Sequence, residues 1–272
     1  AGSGIAWNAG RVNARELPRF GGAVRDCFFL EEADPAAAAQ TVVELVARRI
    51  PARQRYTPRD IQVLSPMHRG EAGVGALNAL LQERLNPWRE GMPEARGAGR
   101  SYRPGDRVLQ LKNDYDLGVF NGDLGTIRAI DTTEQELAVL LDDGREVQYP
   151  FASLFALTHA YAISVHKAQG AEFPVVVLPL LTSHAPLLGR TLLYTALTRA
   201  RELVIIVGQQ RTLALAVRDW RTASRTTALG GLLAGSIRFA WRGPTGHTEA
   251  DGAGADQDVG AWEGLLGEGA GE

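Results

Sequence analysis

The sequence predicts an α/β protein that carries a small inserted antiparallel barrel. Three observations predict it. The chain opens with a strand–helix–strand–helix pattern over residues 28–85. A block of short strands separated by turn signals follows, at roughly 101–153. Buried apolar strands then return after His159.

Each element has a local reason. Residues 1–26 are mixed, with no clear period, and 28–30 reads as a short strand. Asp34-Pro35 is a helix start, because Asp can cap and Pro suits the first helical position. Val42, Val43, Leu45, Val46 and Ile50 give that helix an apolar face. Residues 61–65 form a buried strand. A loop or helix start at 70–75 leads into a helix over 76–85, with Leu77, Leu80, Leu81 and Leu85 in register. Residues 88–103, rich in Gly, Pro and Arg, read as a linker or exposed loop. Strands are expected at 107–111, 124–130, 136–141 and 146–149, with turns at Asn121-Gly122 and Asp143-Gly144. After His159 come a strand end at 161–164, a turn into a helix at 165–170 and a strand at 174–180. A helix at 190–201, a strand at 203–208 and a last helix at 210–220 complete the pattern. From Gly243 onward Gly, Ala, Asp and Glu dominate, and a disordered tail is expected.

Composition sets bounds. The 272 residues are 45% hydrophobic and 22% charged, with a net charge of −2. That is not the strongly basic signature of a simple nucleic-acid binder, so any such contact must come from a local groove. The single cysteine, Cys27, excludes an internal disulfide and a multi-cysteine zinc site. The longest apolar runs, 175–181 and 203–207, fall far short of the ~18 residues of a membrane span. Residues 1–10 hold no apolar run of the secretory kind, and a cytoplasmic protein without membrane contact is expected. The chain begins at Ala1 and its only methionines are Met67 and Met92; the expectation is that N-terminal sequence is missing.

Three segments can carry chemistry. In residues 160–173, AYAISVHKAQGAEF, a strand runs into polar residues, a glycine and a carboxylate. This puts Ser164, His166 and Lys167 at the carboxyl end of a parallel sheet, where α/β proteins bind ligands. Their donors suit phosphate oxygens. Gly170 allows close approach to the backbone, and Glu172 could accept from a ribose hydroxyl. A surface turn with a capping Ser and solvated charges fits the same residues. In LLYTALTRAR, residues 192–201, Arg199 stands late on an apolar helix, where its planar fork suits phosphate. A C-terminal arginine favoured by the helix dipole is the alternative, and Arg201 fits it better. In VLSPMHRG, residues 63–70, Arg69 is a plausible second phosphate contact or part of a plain surface loop.

Taken in chain order, 63–70, 160–173 and 192–201, the three segments resemble motifs IV, V and VI of superfamily 1 helicases. With the block GDRVLQLKNDYDLGVFNGDLGTI, residues 105–127, they resemble the RecD and TraA branch over residues 8–208. The resemblance implies that residues 1–100 and 154–222 form the second RecA-like motor domain, a P-loop-NTPase-type parallel sheet without a P-loop. Residues 101–153 would be an inserted SH3-like barrel, and 223–272 a tail. It implies Arg199 as the arginine finger that reaches the γ-phosphate, and Arg69, Gly170 and Glu172 as ATP-side residues. Ser164, His166 and Lys167 would face single-stranded DNA. Asn113, Asn121 and Asp123 fall in a family block without a firm role.

No G-x-x-x-x-G-K-[ST] loop occurs in the 272 residues, nor an acidic magnesium-binding motif. The resemblance implies ATP and Mg²⁺ as cofactors, with the metal held by an N-terminal RecA-like domain upstream and no metal site in this chain. The implied partners are that domain, single-stranded DNA and duplex junctions. The implied activity is ATP-driven translocation, 5′ to 3′, with duplex unwinding, and this chain alone is expected not to hydrolyse ATP. The rival reading is a non-enzymatic DNA- or protein-binding helicase remnant. A nucleotide-binding enzyme of another class is disfavoured by the missing phosphate loop and Gly-x-Gly-x-x-Gly fingerprint.

Overall fold

Ser3 starts the first helix by accepting a hydrogen bond from Ala6 N, and α1 spans Gly4–Asn13. Sequence periodicity missed it because its buried face mixes Ile5, Ala9 and Val12 with Asn8. Asn8 is satisfied there by Arg19, whose N donates at 2.8 Å and whose O accepts at 2.9 Å. β1 (Cys27–Glu31) follows. Then comes α2 (Pro35–Glu44), capped as expected by Asp34, which accepts from Ala37 N at 2.8 Å. One π-helical turn (Leu45–Arg49) extends α2. β2 (Ile61–Ser65) and α3 (Val74–Leu85) complete the opening. The computed structural model describes residues 3–53 and 55–218; the expected tail at 223–272 and the end of the expected last helix lie outside them.

The middle of the chain builds a second layer. β3 (Ala95–Gly97) and β4 (Arg100–Tyr102) pair as a short hairpin. β5 (Arg107–Gln110), β6 (Leu124–Asp131), β7 (Glu136–Leu141), β8 (Glu146–Pro150) and β9 (Leu157–His159) form an antiparallel sheet in the order β8-β7-β6-β5-β9. The hairpin replaces much of the linker read at 88–103. Ala95 and Tyr102 are fully buried in the barrel core, and Tyr102 OH donates to Leu157 O at 2.8 Å. Burial pushes that phenol up to about 12.

The chain then returns to the first layer. β10 (Ala162–Ser164), β11 (Phe173–Leu180), α4 (Arg190–Leu197), β12 (Ala200–Gly208) and α5 (Gln210–Arg218) finish it. The five-stranded sheet runs β1-β12-β11-β2-β10, every pair parallel. Both faces are covered, which explains the unbroken apolar runs of β11 and β12. Val176, Leu178, Val204 and Ile206 pack against α1, α4 and α5, while Val175, Val177, Ile205 and Val207 pack against α2 and α3.

Two sequence expectations change here. The segment 165–170 is a series of turns and not a helix; Gly170, at φ +87°, ends it and sends the chain into β11. The helix expected at 190–201 stops at Leu197, because Ala200 is already paired with Phe173 as the start of β12.

A buried carboxylate joins the layers. Asp106, just before β5, is fully buried. It accepts from Gln82 Nε2 (2.6 Å) and Asn86 Nδ2 (2.7 Å) at the end of α3, and from Tyr161 OH (2.8 Å) and Arg103 N (2.8 Å). His159 Nε2 lies 3.4 Å from it. Burial alone raises such a carboxyl, but the hydrogen bonds from His159 and Asn86 outweigh it and hold Asp106 below its ordinary value. Its stabilisation is therefore present above the ordinary value of about 3.9 and is lost as pH falls through the folded value. We expect Asp106→Asn to lower the unfolding free energy by about 1–3 kcal/mol at neutral pH. Urea denaturation across the acid range should show that gap closing as pH falls; a constant gap contradicts the assignment.

Candidate functional site

Because all five strands are parallel, the sheet has one carboxyl edge and one amino edge, and the candidate residues divide between them. At the carboxyl edge, β2 and β10 end side by side, with Ser164 in register with Ser65. Ser65 Oγ lies 2.9 Å from Ala72 O and 3.1 Å from Met67 O, which folds the following loop back on itself. The fold-back needs Gly73: a Cβ there would lie 2.3 Å from Arg69 O. His68 and Arg69 are exposed on that loop, and among the described residues Arg69 has no ion-pair partner.

The turn after β10 is the neighbouring feature. Ser164 is buried, and its Oγ accepts from Lys167 N at 3.3 Å while its O accepts from the same N at 3.0 Å. Its side chain shapes the turn. His166 is exposed. Val165 and Ala168 point inward and anchor the turn in the core shared with Leu109 of the barrel. Lys167 Nζ donates to Asn121 Oδ1 in the loop between β5 and β6. Asn121 is held in turn, its N donating to Asn113 Oδ1 at 2.9 Å. Asp123 Oδ2 accepts from Phe120 N at 2.9 Å. So the asparagines without a role in the sequence reading bridge the barrel loop to the turn. The signal was present in the polar, turn-rich run 112–123, but its partner lies more than forty residues away.

The amino edge lies about 20 Å away at roughly 3.3 Å per residue along β11. There Arg199 follows the end of α4. Its guanidinium is half-buried and donates only to neutral oxygens: Nε to Thr195 O (3.2 Å), Nη1 to Ala171 O (3.0 Å) and Nη2 to Thr198 Oγ1 (3.2 Å). Glu172, the residue after Ala171, is taken by Arg201 Nε at 3.0 Å, and both partners are exposed. Such a pair is held weakly. The result is a fixed guanidinium with no carboxylate on it among the described residues, which suits an incoming anion. The structure thus brings Arg199 together with Gly170 and Glu172, whereas Arg69 shares the opposite edge with Ser164, His166 and Lys167. No group of three or more His, Cys, Asp or Glu able to hold a metal ion occurs among the described residues. None of their helices is long and apolar enough to cross a membrane.

Comparison with known proteins agrees with this architecture. Residues 77–140 match the ATP-dependent RecD-like DNA helicase SH3 domain, and residues 159–207 match the UvrD-like helicase C-terminal domain. The chain is 38% identical over 200 residues to the ATP-dependent RecD2 DNA helicase of Deinococcus radiodurans, covering 74% of this chain and 26% of that protein. It is 32% identical over 168 residues to the RecBCD enzyme subunit RecD of Mycolicibacterium smegmatis, covering 62% and 28%. The chain thus spans only about a quarter of the length of these relatives. In fold it resembles the crystal structure of Bacteroides Pif1 bound to ssDNA, with a TM-score of 0.52 at 18% identity, over 86% of this chain and 55% of that one.

Gly170 offers a direct check on the turn. Among the described residues no atom lies within 4 Å of its missing Cβ, so a substitution there meets only backbone strain at φ +87°. Gly170→Ala should cost about 1–2 kcal/mol in chemical denaturation; an unchanged midpoint would mean the turn adopts another conformation.

Proposed function

Because the chain has the domain make-up of the C-terminal portion of RecD-like superfamily 1 helicases, we propose that it is half of the motor of an ATP-dependent DNA helicase. In this reading the amino edge faces a nucleotide held by an N-terminal RecA-like domain. Arg199 is the arginine finger. Gly170 and Glu172 lie on the same side, with Glu172 leaving Arg201 to accept from a ribose hydroxyl.

The observation that supports this best is the Arg199 guanidinium, oriented by Thr195, Thr198 and Ala171 yet bound to no carboxylate among the described residues. A transferring phosphoryl group carries charge on its equatorial oxygens, and a preset arginine lowers the cost of that charge without reorganising. Nothing in the 272 residues matches a phosphate loop. The chain by itself therefore hydrolyses no ATP, and the magnesium ion belongs to the other domain.

The carboxyl edge serves single-stranded DNA. Ser164 fixes the turn, while Lys167 and His166 supply donors toward the backbone. We assign Arg69 to this edge as well, away from the nucleotide, since its loop starts beside Ser164. ATP closes the two motor domains and hydrolysis opens them, so that grip on the strand alternates. The 5′ to 3′ direction rests on the resemblance alone.

In the full-length protein, Arg199→Ala should lower the DNA-stimulated ATPase kcat by about a thousandfold or more while single-strand affinity stays near that of the wild type. Arg199→Lys should not restore it, because an ammonium lacks the fork. Unchanged hydrolysis in the alanine variant would sink the finger assignment. Lys167→Ala should reduce the slope of log affinity against log salt by about 0.7 for one lost single-strand phosphate contact; a slope equal to the wild type's removes Lys167 from the strand path.

A further inference from the structure

We propose that Tyr115 and Phe120, on the loop between β5 and β6, form a stacking platform for the unpaired bases of a single strand. The proposal rests on the single-strand reading above and adds a base-binding site to it.

Tyr115 is 78% exposed and Phe120 is 48% exposed, and Tyr115 is the most exposed large hydrophobic side chain among the described residues. A ring held in water by a disordered tip would mean little, but this tip is built. Asp114 N and O exchange hydrogen bonds with Val119 (2.8 and 2.9 Å), and Val119 is fully buried in the barrel core. Asp114 Oδ1 accepts from Asp116 N and Leu117 N, both at 3.1 Å. Asp123 holds Phe120 N, and Asn113 Nδ2 donates to Tyr115 OH at 3.3 Å. The two rings meet edge to face, with centroids 6.2 Å apart, which leaves ring faces open to a ligand.

The surroundings select the ligand. Asn113, which positions Tyr115, also holds Asn121, and Asn121 accepts from Lys167 of the strand-side turn. The platform is therefore continuous with the proposed backbone contacts. Lys112, next to Asn113 in the chain, holds its ammonium 5.3 Å from the centroid of the exposed Phe155 ring. Aromatic faces interleaved with lysines are the arrangement that binds single strands without sequence readout. Asp116, exposed beside Tyr115, makes the tip itself a poor seat for phosphate, so the rings take bases while Lys112 and Lys167 take backbone.

The test compares two ligands, a short oligothymidylate and an abasic oligodeoxynucleotide of the same length, by fluorescence anisotropy. Tyr115→Ala and Phe120→Ala should each weaken the oligothymidylate by about tenfold and leave the abasic strand unchanged. Tyr115→Phe, which keeps the ring, should bind as the wild type does. Thermal melts should match, because both rings are exposed. Equal losses on both ligands, or no loss on either, overturn the platform while leaving the single-strand reading intact. A wild-type protein with no affinity for either strand overturns that reading, and the platform with it.

Discussion

The Asp106 carboxylate is buried where two layers of different architecture meet. It takes hydrogen bonds from the end of α3, from the residue that opens the barrel, and from Tyr161 at the threshold of β10. An ionised group out of water is tolerable only when its lone pairs are filled, so each donor is held to its place by the cost of leaving the charge unmatched. Tyr161 feels the reverse effect: burial and the neighbouring Asp106 charge push its phenol well above the usual range. The match to the RecD-like SH3 domain begins at residue 77, inside α3. The helix serves both layers: Leu77 and Leu81 pack on the parallel sheet, while Gln82 and Asn86 reach Asp106.

From this constraint the placement of the turn and the barrel loop follows. Only Ala160 and Tyr161 separate β9, in the antiparallel sheet, from β10, in the parallel one. With β9 paired to β5 and β10 paired to β2, the loop leaving β5 and the turn leaving β10 cannot drift apart. Lys167 and Asn121 meet as a consequence. Leu109 and Leu124 of the barrel join the core that also holds Val165 and Ala168, so apolar burial supports the same juxtaposition.

The parallel sheet imposes a second division. A crossover from β10 to β11 without a helix carries one short segment from the carboxyl edge to the amino edge. Ser164 and Glu172, eight positions apart in sequence, therefore lie at opposite ends of the strands. At the amino edge, Arg201 takes the exposed carboxylate while Arg199, held by carbonyl and hydroxyl oxygens, meets no carboxylate among the described residues. Two arginines separated by one residue thus have different electrostatic fates, Arg199 in the turn that leaves α4 and Arg201 within β12.

Much of this was legible in the residues themselves. The α/β class, the inserted antiparallel block and the cap of α2 follow from short-range rules: apolar periodicity, Asp-Pro at a helix start, Asn-Gly and Asp-Gly at turns. Those rules failed where burial depended on distant partners. Asn8 hides α1 because Arg19 satisfies it, and Tyr102 turns a Gly-, Pro- and Arg-rich stretch into a core hairpin by reaching Leu157 O. The segment after β10 looked helical until Gly170 and the pull of β11 decided otherwise. The sequence by itself determined which residues could bear charge, cap or turn, since those properties belong to single side chains and their neighbours. Only the tertiary structure decided which of them share an edge, which charges are already matched and which rings stay in water. Each of those outcomes depends on donors, acceptors and apolar surface brought from far along the chain.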